Sequence, residues 1–394
     1  MHISTAMTLA RTASVLPSLA LAGLMVTSFV AGCAVSPLAP QAIANQAYHE
    51  SWTGNQENAI ALFRMALAAD PAFPYRWSDL GESLAESGKT EPARYCFRRS
   101  LELAPGSPQI AMRAANFLFR EGETAPALQL SSSVLRMSPG WNNIVFSSWV
   151  RLGGDLQTIL RNGVGTDPRA GEGFFRFLVG SAQAPGTDGA KVEATWRWLE
   201  GHSLVTRELA KTWTGWLLGR HRDADAFGVW KHYVSNEAGY GMTNRVDNSS
   251  FENLPGSEGF DWHLAPSAGV KTGIDASVAH SGRSSLRIEF EGSENVDFHH
   301  VFQQVWTPAG HYRLSAWVRT ANLSTDQGVS LALDGVSTQT LTGTHDWTKV
   351  SADIRVGGTG AAGEVQVVRQ RSLRFDSKPK GVVWIDDVLL ERVD

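Results

Sequence analysis

The sequence predicts two folds in series, an α-helical repeat array followed by an antiparallel β-sandwich. Three observations carry this. Pro71, Pro105 and Pro139 lie 34 residues apart, and Gly54, Gly88 and Gly122, Ala59, Ala93 and Ala127, and Leu67, Leu101 and Leu135 keep the same interval. A 34-residue period marks helix–turn–helix units, which cannot bury their apolar faces alone and therefore stack. After residue 247 apolar residues alternate instead, as in Ser285–Phe290, Tyr312–Arg319 and Val329–Leu333, which is the period-two pattern of strands with one buried face. Between the two patterns, residues 237–247 are polar, contain glycine and show no period. They are expected to form a linker.

The N-terminal segment comes first in chain order. Arg11 precedes an apolar run from Val15 to Val30 that ends in Val30-Ala31-Gly32-Cys33. The run has the length of a secretory h-region and is short for a membrane span. Small residues before a cysteine resemble the bacterial lipobox. That resemblance implies a signal peptide over 1–33, lipidation of Cys33, a tether over 34–40, and a lipid-anchored place in the bacterial cell envelope. Ala34 after the cysteine implies the outer membrane, facing the periplasm. Two or three acyl chains anchor stably, because each buried methylene contributes roughly 0.8 kcal/mol. The chain has 2 cysteines, so a lipidated Cys33 leaves Cys96 without an intrachain partner.

Residues 41–236 read as helical. In 74–105, Trp77, Leu80, Gly81, Leu84 and Ala85 share one helical face. Gly88 ends that helix, Thr90 is the expected N-cap of the next, and Ala93, Phe97, Ser100 and Leu101 form the second face. These positions resemble the tetratricopeptide consensus. Residues 40–73 match it through Gly54, Ala59, Phe63, Ala66 and Pro71. Residues 108–139 match through Leu118, Gly122, Ala127 and Pro139, with Ser131 in place of the usual aromatic. The register decays after about residue 140. There Trp196, Trp198, Trp213, Trp216 and Trp230 recur at helical spacing and are expected to be core. The family resemblance implies a protein partner in the groove of the inner helices. In the subgroup that clamps C-terminal carboxylates, the matching positions are Ala44, Tyr48, Asp79, Gln109 and Arg113, of which Arg113 alone suits the role.

Residues 248–394 read as a single sandwich. Asn248-Ser249-Ser250-Phe251-Glu252, Trp262, His280-Ser281-Gly282-Arg283, Gln303-Gln304, Pro308-Ala309-Gly310, Asp346-Trp347 and Trp384-Ile385-Asp386-Asp387 follow in order. The series resembles the galactose-binding-like jelly rolls of bacterial carbohydrate-binding modules, which implies a jelly roll and a glycan ligand. Two groups are singled out. Glu252 with Asp386 or Asp387, from the first and last strands, is expected to hold a structural calcium, which needs six to eight oxygens. The alternative is that these acids cap turns or pair with Arg283. No other cofactor is expected.

On Tyr312–Arg319, alternation places Arg313, Trp317 and Arg319 opposite Leu314, Ala316 and Val318. An indole covers the apolar face of a sugar, and guanidinium groups donate to hydroxyls or carboxylates. This face is the expected glycan site, acidic glycans being favoured. Gln303, Gln304, Arg369 and Arg371 are expected on nearby strands. The alternative is a surface ladder that only stabilises the sheet.

Composition excludes some classes. With 43% hydrophobic residues, 19% charged residues and net charge −4, the chain has material for more than one core and no basic excess for nucleic acid. Gly358–Gly363 matches G-x-G-x-x-G, but strands flank it and no helix follows to meet a phosphate. His299 and His300 are adjacent on a strand and point to opposite faces. No segment suggests a domain that sets two carboxylates across a cleft, as glycosidases need. The expectation is a non-catalytic envelope lipoprotein. Its repeats scaffold a protein partner and its jelly roll binds glycan, in exopolysaccharide or cell-wall assembly. The alternative is a protein-interaction scaffold with no sugar affinity.

Overall fold

The computed structural model describes residues 39–181, 189–324, 326–358, 360–375 and 377–394. The expected signal peptide and lipobox, with Cys33, lie outside these residues, and Pro40, expected in the tether, is the first residue of a helix. Two compact units are present, one ending at Ala114 and the other running from Ala115 to Asp394.

The first unit holds α1 (Pro40–Trp52), α2 (Gln56–Ala69), α3 (Pro74–Glu86), α4 (Thr90–Leu103) and the start of α5 (Pro108–Arg120). α1 pairs with α2 and α3 with α4 as helical hairpins, giving the tetratricopeptide-like array that the period predicts. Proline opens α1, α3 and α5, where its missing N–H is lost at no cost. Gly54 and Gly88 have φ of 86° and 70°, left-handed values that exclude most side chains. Gly81 lies against the Phe97 ring, where an added Cβ would meet it at 3.0 Å. Lys89, not Thr90, holds the N-cap position of α4, and no side chain caps that end.

The second unit continues with α6 (Thr124–Met137), α7 (Asn142–Leu152), α8 (Leu156–Ile159), a π-helical turn over Leu160–Val164, α9 (Pro168–Ser181), α10 (Ala190–Gly201), α11 (Arg207–Leu218) and α12 (Asp223–Tyr233). The departure from consensus at Ser131 has a physical reason. Its hydroxyl accepts the indole N–H of buried Trp149 at 2.8 Å, so a larger ring from α7 fills the space of the missing aromatic. Trp196, Trp213, Trp216 and Trp230 are buried, with Trp196 stacked on Trp213 and Trp213 on Trp216. They pack the core, as their spacing predicts. Trp198 differs, being half-buried and stacked on His202.

Among the described residues ten strands follow: β1 (Trp262–Leu264), β2 (Val270–Asp275), β3 (Ser285–Glu291), β4 (Phe298–Thr307), β5 (Gly310–Leu323), β6 (Ser330–Leu333), β7 (Val336–Ser337), β8 (Gly343–Val356), β9 (Ala361–Arg369) and β10 (Lys380–Arg392). They form two antiparallel sheets, ordered β1-β4-β9-β6-β7 and β2-β3-β10-β5-β8. The inward residues of both meet in one core that includes Ile288, Val305, Leu314, Val318, Val365 and Ile385. Leu314, Ala316 and Val318 are buried, so Arg313, Trp317 and Arg319 face outward.

Residues 237–247 differ from the free linker that their composition suggests. Val246 belongs to the sandwich core. The Asn244 side chain donates to the Val388 carbonyl and accepts from the Leu390 N–H at 2.9 Å, and the Arg245 N–H donates to the Leu390 carbonyl. Buried Asp247 accepts the Trp230 indole N–H at 2.6 Å and the Ser235 hydroxyl at 2.5 Å. Phe227 of α12 packs on Phe260 and Trp306. These polar side chains bond buried backbone and a helix, where unpaired groups would be unfavourable.

Candidate functional site

The outward face of β5 was the expected glycan platform, and the structure fills it from within. The Trp317 ring lies under the His280 imidazole, with centroids 4.0 Å apart and planes 16° apart, and Trp347 meets His280 edge-on. Arg313 donates two hydrogen bonds to Asp353, at 2.7 and 3.1 Å. Arg319 lies 3.6 Å from Asp346, with its guanidinium near the Trp384 ring. Both guanidiniums therefore face carboxylates of β8. The charge argument for an acidic glycan loses its basis here.

The three acids expected around calcium hold turns directly. Asp386 is buried and accepts the backbone N–H groups of His280, Ser281 and Asp387. Asp387 accepts the Ser250 and Ser281 hydroxyls and lies 2.6 Å from His280 Nδ1. Glu252 accepts the N–H groups of Arg283 and Ser284 and the Arg283 guanidinium.

Burial raises the Asp386 carboxyl above the ordinary range against these bonds. Burial also pushes Asp387 upward, but hydrogen bonds from Ser281, His280 and Ser250 prevail and hold it low. The N–H of Arg283 is the chief cause holding Glu252 low. Each carboxylate oxygen already meets an N–H or O–H donor, and Glu252 serves a different part of the turn from the two aspartates. This donor set does not fit calcium. Among the described residues, no group of three or more His, Cys, Asp or Glu side chains is placed to hold a metal ion. Gly282 closes the clasp at φ 63°, where a Cβ would collide with Glu252.

The remaining candidates lie on the other sheet. Gln303 is buried and bonds both backbone groups of Asp247 at 2.8 Å. It is a core clamp and not a glycan contact. Gln304, its neighbour, points to the opposite face, into a cleft of about 810 Å³. Arg369 also lines this cleft, almost wholly buried, with its guanidinium donating to the Val296 carbonyl. Burial lowers its pKa. Arg371 is exposed beyond the end of β9 and does not line the cleft.

Sequence reasoning missed Glu364 and Gln366, which line the cleft from β9, with the Gln366 amide donating to Glu364 at 2.7 Å. The alternation Glu364-Val365-Gln366-Val367 was a readable signal, since Val365 and Val367 are core. It also missed His221, in the turn between α11 and α12, and Asp223, the first residue of α12, which wall the cleft. No sequence signal brings that turn to the sheet.

No protein-family model matches the chain, and no curated protein matches it. Solved structures match part of it. The first tetratricopeptide domain of Spaghetti (RPAP3), bound to an HSP90 peptide, is 15% identical over 29% of this chain and 92% of that chain, with a TM-score of 0.27. The Yersinia enterocolitica type III secretion translocator chaperone SycD is 17% identical over 29% of this chain and 89% of its own, with a TM-score of 0.27. SycD in complex with a peptide of the translocator YopD is 16% identical over 34% of this chain and 100% of its own, with a TM-score of 0.27. At this likeness nothing about function carries over. The repeat architecture rests on the helical pairing described above.

Proposed function

We propose that this chain is a non-catalytic binding protein of the bacterial cell envelope, whose helical pairs hold a polypeptide partner and whose sandwich cleft takes a glycan. The cleft is the observation that carries this reading. Its floor is the outward face of a sheet, and its lining mixes amides and carboxylates, Gln304, Glu364 and Gln366, with apolar surface from Phe260 and Val368. Sugar hydroxyls both donate and accept, and such groups answer them in both senses.

Charge changes the expected ligand. Asp223, Asp297, Asp334 and Glu364 line the cleft against the single buried guanidinium of Arg369. A neutral glycan is therefore favoured over an acidic one. The setting in exopolysaccharide or cell-wall assembly rests on the domain combination alone.

Titration of the full chain with neutral and uronic-acid oligosaccharides tests this. Gln304→Ala with Gln366→Ala should weaken neutral-glycan binding by about tenfold or more with unchanged melting. A chain that binds no oligosaccharide is a protein-interaction scaffold. The envelope location rests on Val30-Ala31-Gly32-Cys33. Cys33→Ser should leave the precursor unprocessed or move the protein to the soluble fraction. Unchanged processing and detergent partitioning would remove the lipid anchor.

A further inference from the structure

In the first unit, α2, α3 and α4 border an open apolar pocket of about 440 Å³. Leu67 of α2, Trp77, Leu80 and Leu84 of α3, and Tyr95 and Cys96 of α4 line it. α2 and α4 are second helices of successive hairpins, and the apolar face of α3 lies between them. The walls are fixed. The Trp77 indole N–H donates to the Pro71 carbonyl at 2.8 Å, and Tyr95 meets Trp77 edge-on at 5.9 Å. Tyr95 is 51% exposed and lies on the outer face of α4 with exposed Glu91 and Arg98. Burial raises the Cys96 thiol to about 11, so it stays neutral and adds apolar wall.

The charge at this pocket is of one sign. Arg64 lines it and Arg98 stands over the Tyr95 ring at 5.7 Å. Both are exposed, and among the described residues neither pairs with a carboxylate, whereas the nearby Arg94 and Arg99 pair with Glu91 and Glu102. The face that bears Tyr48, Asp79 and Arg113 is the contrast. There Asp79 accepts from both Arg113, at 2.8 Å, and Tyr48, so the Arg113 guanidinium is already answered.

We propose that this pocket anchors an acidic polypeptide segment, with a large apolar side chain inserted beside Tyr95 and flanking carboxylates on Arg64 and Arg98. This rests on the reading of the helical pairs as a polypeptide-holding surface, and it names the surface and the partner's chemistry. Desolvated apolar anchors supply affinity, and rim charges select among partners.

The probes are two peptides of about twelve residues with the same Leu-Phe centre, one flanked by Glu and Asp and the other by Lys, titrated by fluorescence anisotropy into the full chain. The acidic peptide should bind about tenfold tighter or more, less so at high salt. R64E with R98E should invert that order, and Tyr95→Ala should weaken both peptides. Equal binding of both peptides, or an order unchanged by R64E with R98E, overturns the proposal. So does a concentration-dependent mass abolished by Tyr95→Ala, which assigns the pocket to a second copy. If Arg113→Ala abolishes acidic-peptide binding and R64E with R98E does not, polypeptide holding stands and this pocket is excluded. Binding of neither peptide overturns both.

Discussion

On the sheet β2-β3-β10-β5-β8 the outward Trp317 lies under His280, and the outward Arg313 and Arg319 meet Asp353 and Asp346. On the sheet β1-β4-β9-β6-β7 the outward Gln304, Glu364 and Gln366 open into a cleft. The first face has the residue types of a sugar platform, and the second has the free hydrogen-bonding capacity of one. Residue type and strand parity place a side chain on a face. Whether that side chain is left over for a ligand depends on what lies opposite it, and β8 and the 280–284 turn take up the first face.

The contrast is sharpest between Gln303 and Gln304, neighbours on β4 that point to opposite faces. Gln303→Ala leaves the N–H and carbonyl of Asp247 unpaired in the core. Each unpaired buried group costs about 1–3 kcal/mol, so a loss of roughly 2–6 kcal/mol is expected in denaturant unfolding. Gln304→Ala should change stability by less than about 0.5 kcal/mol. Equal losses in the two variants would erase the distinction between clamp and cleft.

A middle-sized effect belongs to the clasp over Trp317. Asp387 has φ of 47°, a left-handed conformation that asparagine tolerates, so Asp387→Asn removes charge with little backbone strain. It should cost about 1–2 kcal/mol at neutral pH. The folded pKa of Asp387 lies below its unfolded value. Its stabilisation is therefore complete above the unfolded value, about 4, and is lost as pH falls through the lower folded one. The gap between parent and variant should close in that acidic window. Asp386 is raised by burial and further by the Asp387 charge, so its upward shift is smaller in the variant and contributes to the difference as well. A gap that stays constant on acidification would show that the ionised carboxylate does not hold the turn.

The smallest effect is expected at Arg313 and Asp353. Their side chains are 50% and 65% exposed, and water and salt screen such pairs. A double-mutant cycle should give a coupling near the error of measurement, and the oligosaccharide titration proposed above should not respond to these substitutions. Weakened oligosaccharide binding in the Arg313 variant would restore this face as a candidate site.

Local pattern was legible, and distant pairing was not. The 34-residue period finds the hairpins because each repeats the same steric needs, such as left-handed Gly54 and Gly88 and the close approach of Gly81 to Phe97. Alternation fixes both faces of β5 because a strand has only two. The fate of Arg313 depends on Asp353, 40 residues away, and that of Gln303 on Asp247, 56 residues away. Neither can be read without the sheet register. Asn244 and Asp247 mislead for a related reason. Polar composition normally means solvent, yet here polar side chains complete the bonding of a buried strand and a helix.

The bonds from residues 244–245 to Leu390 also constrain how the chain is made. Asn244 and Leu390 are separated by 146 residues, and β10 lies between β3 and β5 in its sheet. On the ribosome, the helices emerge first and can pair locally, but the seat of α12 stays unfinished until β10 follows all the other described strands. Until then Val246 and the inner edges of β3 and β5 are exposed, the kind of surface that draws chaperones and aggregates. Loss of β10 would open the centre of a sheet and leave Asn244 and Arg245 without their backbone partners.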